Sequence, residues 1–156
     1  MTPVALLPLA FVGIDLKEVF HGYQISQSCC ISSDIDQNRA LQLAIYQYYL
    51  AQEKHLPMTV MMTYGTEISA LGDWYAQLLG ESIGKEGYGI TPIPATGTTD
   101  QHSQLQLYQQ GPDDKSYIFI GVDESKKDIQ FDSTDNENWK YLENVCFHTA
   151  ITAAQK

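Results

Sequence analysis

The chain has 156 residues, 44% of them hydrophobic and 18% charged, which suits one globular domain and excludes a disordered tail, a coiled coil or a collagen-like repeat. Nine Lys and Arg stand against 19 Asp and Glu, a formal charge of −10, so no nucleic acid is expected as a partner. Arg39 is the sole arginine, and bidentate clamping of phosphate or carboxylate is usually an arginine task, so an anionic ligand would need donors from elsewhere.

Cys29, Cys30 and Cys146 form neither a CxxC nor a zinc spacing, which predicts buried free thiols in a reducing, cytoplasmic compartment and no metal centre. The apolar opening Val4 to Ile14 has no basic residue before it and no A-x-A cleavage pattern after it, so it does not read as an export signal. Pro8 and Gly13 interrupt it well short of the ~20 residues of a membrane span, and no membrane partner is expected.

Thr2 and Pro3 predict a short helix over Pro3 to about Val12, apolar all round and therefore buried. Asp15 with Glu18 predicts a second helix, Leu16 to His21, ended by Gly22, and the stretch Tyr23 to Asp36 is polar and unassigned. Leu41, Ala44, Ile45, Tyr48 and Ala51 recur at helical spacing and predict a helix over Gln37 to Lys54, with Tyr46, Tyr48 and Tyr49 as a packing stripe. Pro57 ends it, and Met58 to Tyr64 reads as a strand buried on both faces.

Thr66 is placed to cap a helix burying Ile68, Leu71, Tyr75 and Leu78. Ile90 to Ala95, with its two prolines, predicts a short extended segment. Asp100 would then cap a helix over Gln101 to Gln110, closed by Gly111 and Pro112. Tyr117 to Val122 reads as a second inner strand, Asp123 to Asp135 as a charged loop, and Trp139, Leu142, Cys146, Thr149, Ala150 and Ala153 as one face of a final helix. Strands alternating with helices predict an α/β fold with a mostly parallel sheet flanked by helices.

Two places can carry chemistry. Glu81 stands between Gly80 and Ser82 with Gln77 four residues earlier on the same helix face, and small neighbours let a substrate approach a carboxylate acting as general base. Gly97, Thr98 and Thr99 lead into a helix whose first turn holds His102, an acid or base for neutral pH beside unpaired backbone N–H groups. GYGITP is not the G-x-G-x-x-G of dinucleotide sites, and His21, His55 and His148 stand alone.

DWYAQLLGESIGKEG (Asp73 to Gly87) followed by TPIPATGTTDQHSQLQLYQQGPDDK (Thr91 to Lys115) resembles the phosphoglucose isomerase family in its bacterial form. TPVALLPLAFVGID at the start and SYIFIGV after the histidine helix extend the likeness over most of the chain, weakening from Asp123 onward. The resemblance implies a sugar-isomerase, flavodoxin-like domain that interconverts glucose 6-phosphate and fructose 6-phosphate through an enediolate, with no cofactor, as a cytoplasmic homodimer. It puts the catalytic base of the G/M-E-S-x-G-K motif on Glu81, the ring-opening histidine on His102, and a family glutamine one turn before the base on Gln77. Gly97 and Thr98, in the corner that leads into the histidine helix, are expected to contact substrate.

The family's G-G-R-[FY]-[ST] segment and its D-Q-x-G-V-E-x-x-K lysine motif have no counterpart in these residues. The chain therefore resembles an internal, incomplete piece: residues 1–36 the tail of a first sugar-isomerase domain, residues 37–156 a truncated second one, inactive alone. The alternative is a stand-alone sugar-phosphate-binding regulatory module. Retention of Glu81, Gln77 and His102 together favours the enzyme piece, since a sensor needs no base.

Overall fold

The computed structural model describes residues 2–123, 129–131 and 137–154. Its backbone divides into two compact units, Met1–Tyr49 and Leu50–Lys156, and the division falls inside one helix.

The first unit is helical: α1 (Pro3–Phe11), α2 (Leu16–Cys30) and the start of α3 (Arg39–Gln52), with a single 3-10 turn at Ile35–Gln37. Asp15 caps α2 as its position suggests, accepting from the Lys17 amide at 2.8 Å. The predicted stop at Gly22 does not occur. Gly22 lies inside α2 with open space around it, so the helix bears only the ~1 kcal/mol cost of a helical glycine and continues through Cys30. Asn38 joins α2 to α3: its Nδ2 donates to the carbonyls of Cys30 and Ser32, at 3.0 and 2.7 Å, while its Oδ1 accepts from the Leu41 amide at 2.9 Å. With both ends of its amide used, Asn38 is the buried polar residue of this unit.

Three expectations fail here for one reason: no sheet lies within the unit for its helices to pack on. Helix α1 is exposed rather than buried, with Val4 and Phe11 each 83% accessible. Tyr46, Tyr48 and Tyr49 are exposed instead of forming a packing stripe, and so are the thiols of Cys29 and Cys30.

The second unit is α/β. Strands β1 (Met58–Tyr64), β2 (Thr91–Gly97) and β3 (Lys115–Ile120) form a parallel sheet in the order β2-β1-β3. Met58 pairs with Thr91 on one side and with Lys115 on the other. The expected strand Met58 to Tyr64 is found at those bounds and is central. It buries both faces, as a strand covered by crossover helices must. β3 begins two residues earlier than the Tyr117 expected and, among the described residues, is an edge strand rather than an inner one.

The proline-containing segment expected to be merely extended is a full strand. Thr91 sends its amide to the Pro57 carbonyl, 2.8 Å away beside β1, so alternation points the amide positions of residues 92, 94 and 96 away from the sheet. Pro92 and Pro94 have no N–H to leave unpaired there, and the Thr96 amide donates to Asp100 Oδ2 at 2.6 Å. The outer edge of β2 therefore has no free amide at these positions to offer a further strand.

Alternation also separates the two faces of the sheet. Val60, Met62, Tyr64 and Ala95 form the core, with Ile93, Tyr117, Tyr108 of α5 (Thr99–Gln110) and Ile151 of α6 (Phe147–Ala154) packed against them. The opposite face carries Thr59, whose hydroxyl meets Ser116 Oγ at 3.0 Å, and Pro94, which touches α4 (Ala70–Ile83). Gly72 makes the α4 contact close: a Cβ there would sit 3.3 Å from Pro94 Cβ. α4 and α5 therefore cover opposite faces.

Other helix ends depart from expectation. Thr66 opens a 3-10 turn, and α4 starts only after Ser69. Leu78, expected inside, is exposed. Thr98, not Asp100, is the residue before α5, since the Asp100 carboxylate is engaged by Thr96. The single final helix is two: a 3-10 segment Glu137–Leu142, then α6, divided where Asn144 turns to φ 62° and Cys146 bridges to Gln130. Most of the expected loop Asp123 to Asp135 lies outside the described residues. Among the described residues no helix is long and apolar enough to cross a membrane.

The uneven burial gives a first prediction. Met62→Ala, at 1% exposure, should cost about 2–5 kcal/mol in urea unfolding, whereas Val4→Ala should stay within about 0.5 kcal/mol. Equal losses would contradict the placement of the core.

Candidate active site

Glu81 and Gln77 both lie on α4, one turn apart, and both are exposed. Gln77 Nε2 donates to Glu81 Oε1 at 3.3 Å, so the pairing expected from their spacing is present. One carboxylate oxygen receives the amide hydrogen and the other stays open. Gly80, beside them, has nothing within 4 Å of the place a Cβ would occupy.

His102 belongs to a different corner. α5 opens directly after the last residues of β2, and the His102 amide donates to the Thr98 carbonyl at 3.0 Å in its first turn. The imidazole is exposed and has no hydrogen-bond partner among the described residues. Gly97 is half-buried and Thr98 exposed. Gly97 has a packing role that sequence reasoning missed, because a Cβ there would overlap the Tyr64 ring.

These two corners do not meet within one chain. A parallel βαβ crossover makes its helix run back against the strands, so α4 begins near the C-terminal end of β1, and a Cβ added at Gly72 would already lie 3.8 Å from the Met61 carbonyl in mid-strand. Glu81 lies a further ~13 Å along the helix axis at 1.5 Å per residue, while only ~10 Å of β1 remains before Met58. Glu81 is therefore at the N-terminal end of the strands and His102 at the C-terminal end.

The C-terminal end is also where the connections diverge. β1 leads through Gly65, at φ 135°, toward α4 on one face, and β2 leads through Gly97 toward α5 on the other. Neighbouring strands whose connections part in this way leave a crevice suited to ligands. Tyr64, the last residue of β1, is 2% exposed, and its hydroxyl donates to Gln101 Oε1 at 2.7 Å. Burial pushes the Tyr64 and Tyr117 phenols up from their ordinary range. Tyr108 is raised chiefly by burial and further by Tyr117 and Asp100. Among the described residues no cluster of three His, Cys, Asp or Glu could hold a metal ion.

Tyr64 is not singled out by the sequence, and Asp100 and Gln101 stand in the stretch Gly97 to His102 without a site role of their own. The first reads as the end of an apolar strand, and the others as a helix start. Only pairing and packing bring them together.

No protein-family model matches the chain. It is 42% identical over 167 aligned residues to a glucose-6-phosphate isomerase of Carboxydothermus hydrogenoformans, covering 100% of this chain and 36% of the relative. Against a glucose-6-phosphate isomerase of Methanocaldococcus jannaschii it is 37% identical, over 87% of this chain and 34% of the relative. A crystal structure of a hypothetical protein from Thermus thermophilus superposes with a TM-score of 0.86 at 31% identity, covering 98% of this chain and 37% of that one. The chain thus spans about a third of the length of the curated relatives it matches.

The two glycines test the geometry. Gly97→Ala should destabilise the fold by about 1–3 kcal/mol, the usual range for overpacking, because its methyl has to displace the Tyr64 ring. Gly80→Ala, with open space, should stabilise it by about 0.5–1 kcal/mol. Thermal unfolding of both variants checks this, and a neutral Gly97→Ala would contradict the packing described.

Proposed function

We propose that this chain, which belongs by sequence to the glucose-6-phosphate isomerase family, carries the base and the ring-opening histidine of an aldose–ketose isomerase acting on glucose 6-phosphate and fructose 6-phosphate. The observation that supports it most is the Gln77–Glu81 pair: a carboxylate held at one oxygen, open at the other and flanked by glycine.

The open oxygen of Glu81 removes the proton at C2 of the linear sugar. In the direction from glucose 6-phosphate the C–H electron pair forms the C1=C2 double bond as the C1 carbonyl pair moves onto O1. A proton passes from the C2 hydroxyl to O1, O2 re-forms a carbonyl at C2, and the double-bond pair takes the proton back from Glu81 at C1. His102 moves the proton that opens and closes the hemiacetal ring. Gln77 holds the base and contacts the sugar, and Gly97 and Thr98 line the histidine corner.

The separation of Glu81 and His102 along the strands supports a site shared between two copies, in which the histidine of one chain serves the glutamate of the other. A homodimer is thus part of the proposal. So is the domain reading, with residues 1–36 as the end of a first sugar-isomerase domain and residues 37–156 as part of a second.

Phosphate anchoring and enediolate stabilisation draw on cationic donors, and Arg39 is the sole arginine among these residues. Residues 1–156 alone should therefore show negligible conversion of fructose 6-phosphate. Exchanged for the matching segment of the Carboxydothermus hydrogenoformans relative, they should give an active enzyme, and Glu81→Gln in that chimera should lower kcat by on the order of 10²-fold or more with binding retained. A coupled dehydrogenase assay with isotope exchange at C2 reads both. Near-full activity of the Glu81→Gln chimera would remove Glu81 from the role of base, and sugar-phosphate binding by a chimera without turnover would favour a regulatory module.

A further inference from the structure

The hydrogen-bond geometry at the C-terminal end of the sheet bears on how His102 is held. Its imidazole has no partner among the described residues, so the backbone of the first turn of α5 must set where the ring stands. Two bonds tie that turn to the sheet. Asp100 Oδ2 accepts from the Thr96 amide at 2.6 Å, fixing the turn to the end of β2. Gln101 Oε1 accepts from the Tyr64 hydroxyl at 2.7 Å, fixing it to the end of β1.

The second tie starts from a rigid point. Tyr64 is the last residue of β1, it is 2% exposed, and its ring lies over Gly97 so closely that no Cβ fits between them. The hydroxyl also lies 3.4 Å from Met62 Sδ, a weak acceptor, and its single proton goes to the closer and stronger Gln101 oxygen. Gln101 immediately precedes His102 in the helix, so fixing its side chain fixes the azimuth of the turn, with His102 ~100° further round.

We infer that Tyr64 is a positioning residue for His102, acting through Gln101. The inference rests on the proposed role of His102 for its catalytic meaning, but the tether is a property of these 156 residues and is tested without activity.

Tyr64→Phe removes the hydroxyl, and Gln101→Leu removes the acceptor together with the rest of the side-chain amide. Amide hydrogen exchange at Gln101, His102 and Ser103 should rise about tenfold relative to Val60 at mid-strand in either variant, as loss of one buried bond implies. The double variant should add nothing beyond either single change. Gln101→Glu keeps an acceptor and should restore protection. Carbon relaxation of the His102 ring should show increased motion in Tyr64→Phe and near-original order in Gln101→Glu.

Exchange at Gln101 to Ser103 rising no more than at Val60 would overturn the inference, and so would single effects that add in the double variant. A His102 ring unaffected by Tyr64→Phe would overturn it as well. His102→Gln in the active chimera tests the catalytic reading separately, so the two can fail independently.

Discussion

Parallel pairing of β1 on both sides is the constraint from which the site geometry follows. A strand hydrogen-bonded to two parallel neighbours can be reached only by crossovers, and each crossover brings a helix back along the sheet. The return of α4 carries Gln77 and Glu81 toward the start of the strands. The exit of β2 into α5 leaves His102 at their end. Because β2 and β3 flank β1 from opposite sides, the two connections leave on opposite faces, with α4 against Pro94 and α5 against the face of Val60, Met62 and Tyr64. The burial of β1 on both faces is a consequence of the same arrangement.

The end of the sheet near His102 is built from residues that each settle a local conflict. The prolines of β2 occupy positions where an amide would face away from the sheet, and the one remaining outward amide, that of Thr96, is taken by Asp100. That carboxylate also lies in the first turn of α5, where the helix dipole favours negative charge. Gly97 leaves room for the Tyr64 ring, and the ring's hydroxyl reaches Gln101. Rigidity of this corner thus comes from backbone closure and one buried phenol rather than from contacts of the imidazole itself.

Much of the fold is legible in the sequence where local pattern and tertiary demand agree. The run Met58 to Tyr64 is short, apolar and partly β-branched because it is buried on both faces, and its bounds follow from Pro57 before it and Gly65 after it. The glutamine and glutamate of α4 are legible as a pair because helical spacing alone brings residues four apart together. Where the deciding information lies elsewhere in the chain, the sequence is silent or misleading. Two prolines argue against a strand until the direction of each amide is known, and that direction depends on pairing with β1. Gly22 looks like a helix stop, yet α2 tolerates its modest cost. The apolar length of α1 suggests burial, but burial needs a partner surface, and its own unit offers only helices and no sheet. Tyr64 reads as core and is core, and only its distance to Gln101 reveals a second part.

Complementation between two inactive variants asks whether a working site joins two chains, as the placing of Glu81 and His102 at opposite ends of one chain's sheet requires. Glu81→Gln and His102→Gln would each be made in the active chimera, purified, mixed, dissociated and reassembled. A two-fold assembly with shared sites leaves one intact pair in every mixed dimer, so about a quarter of the parental activity should be recovered from parents that have almost none. No recovery, with mixed dimers demonstrably present, would mean that each site takes both groups from one chain and would contradict that placing.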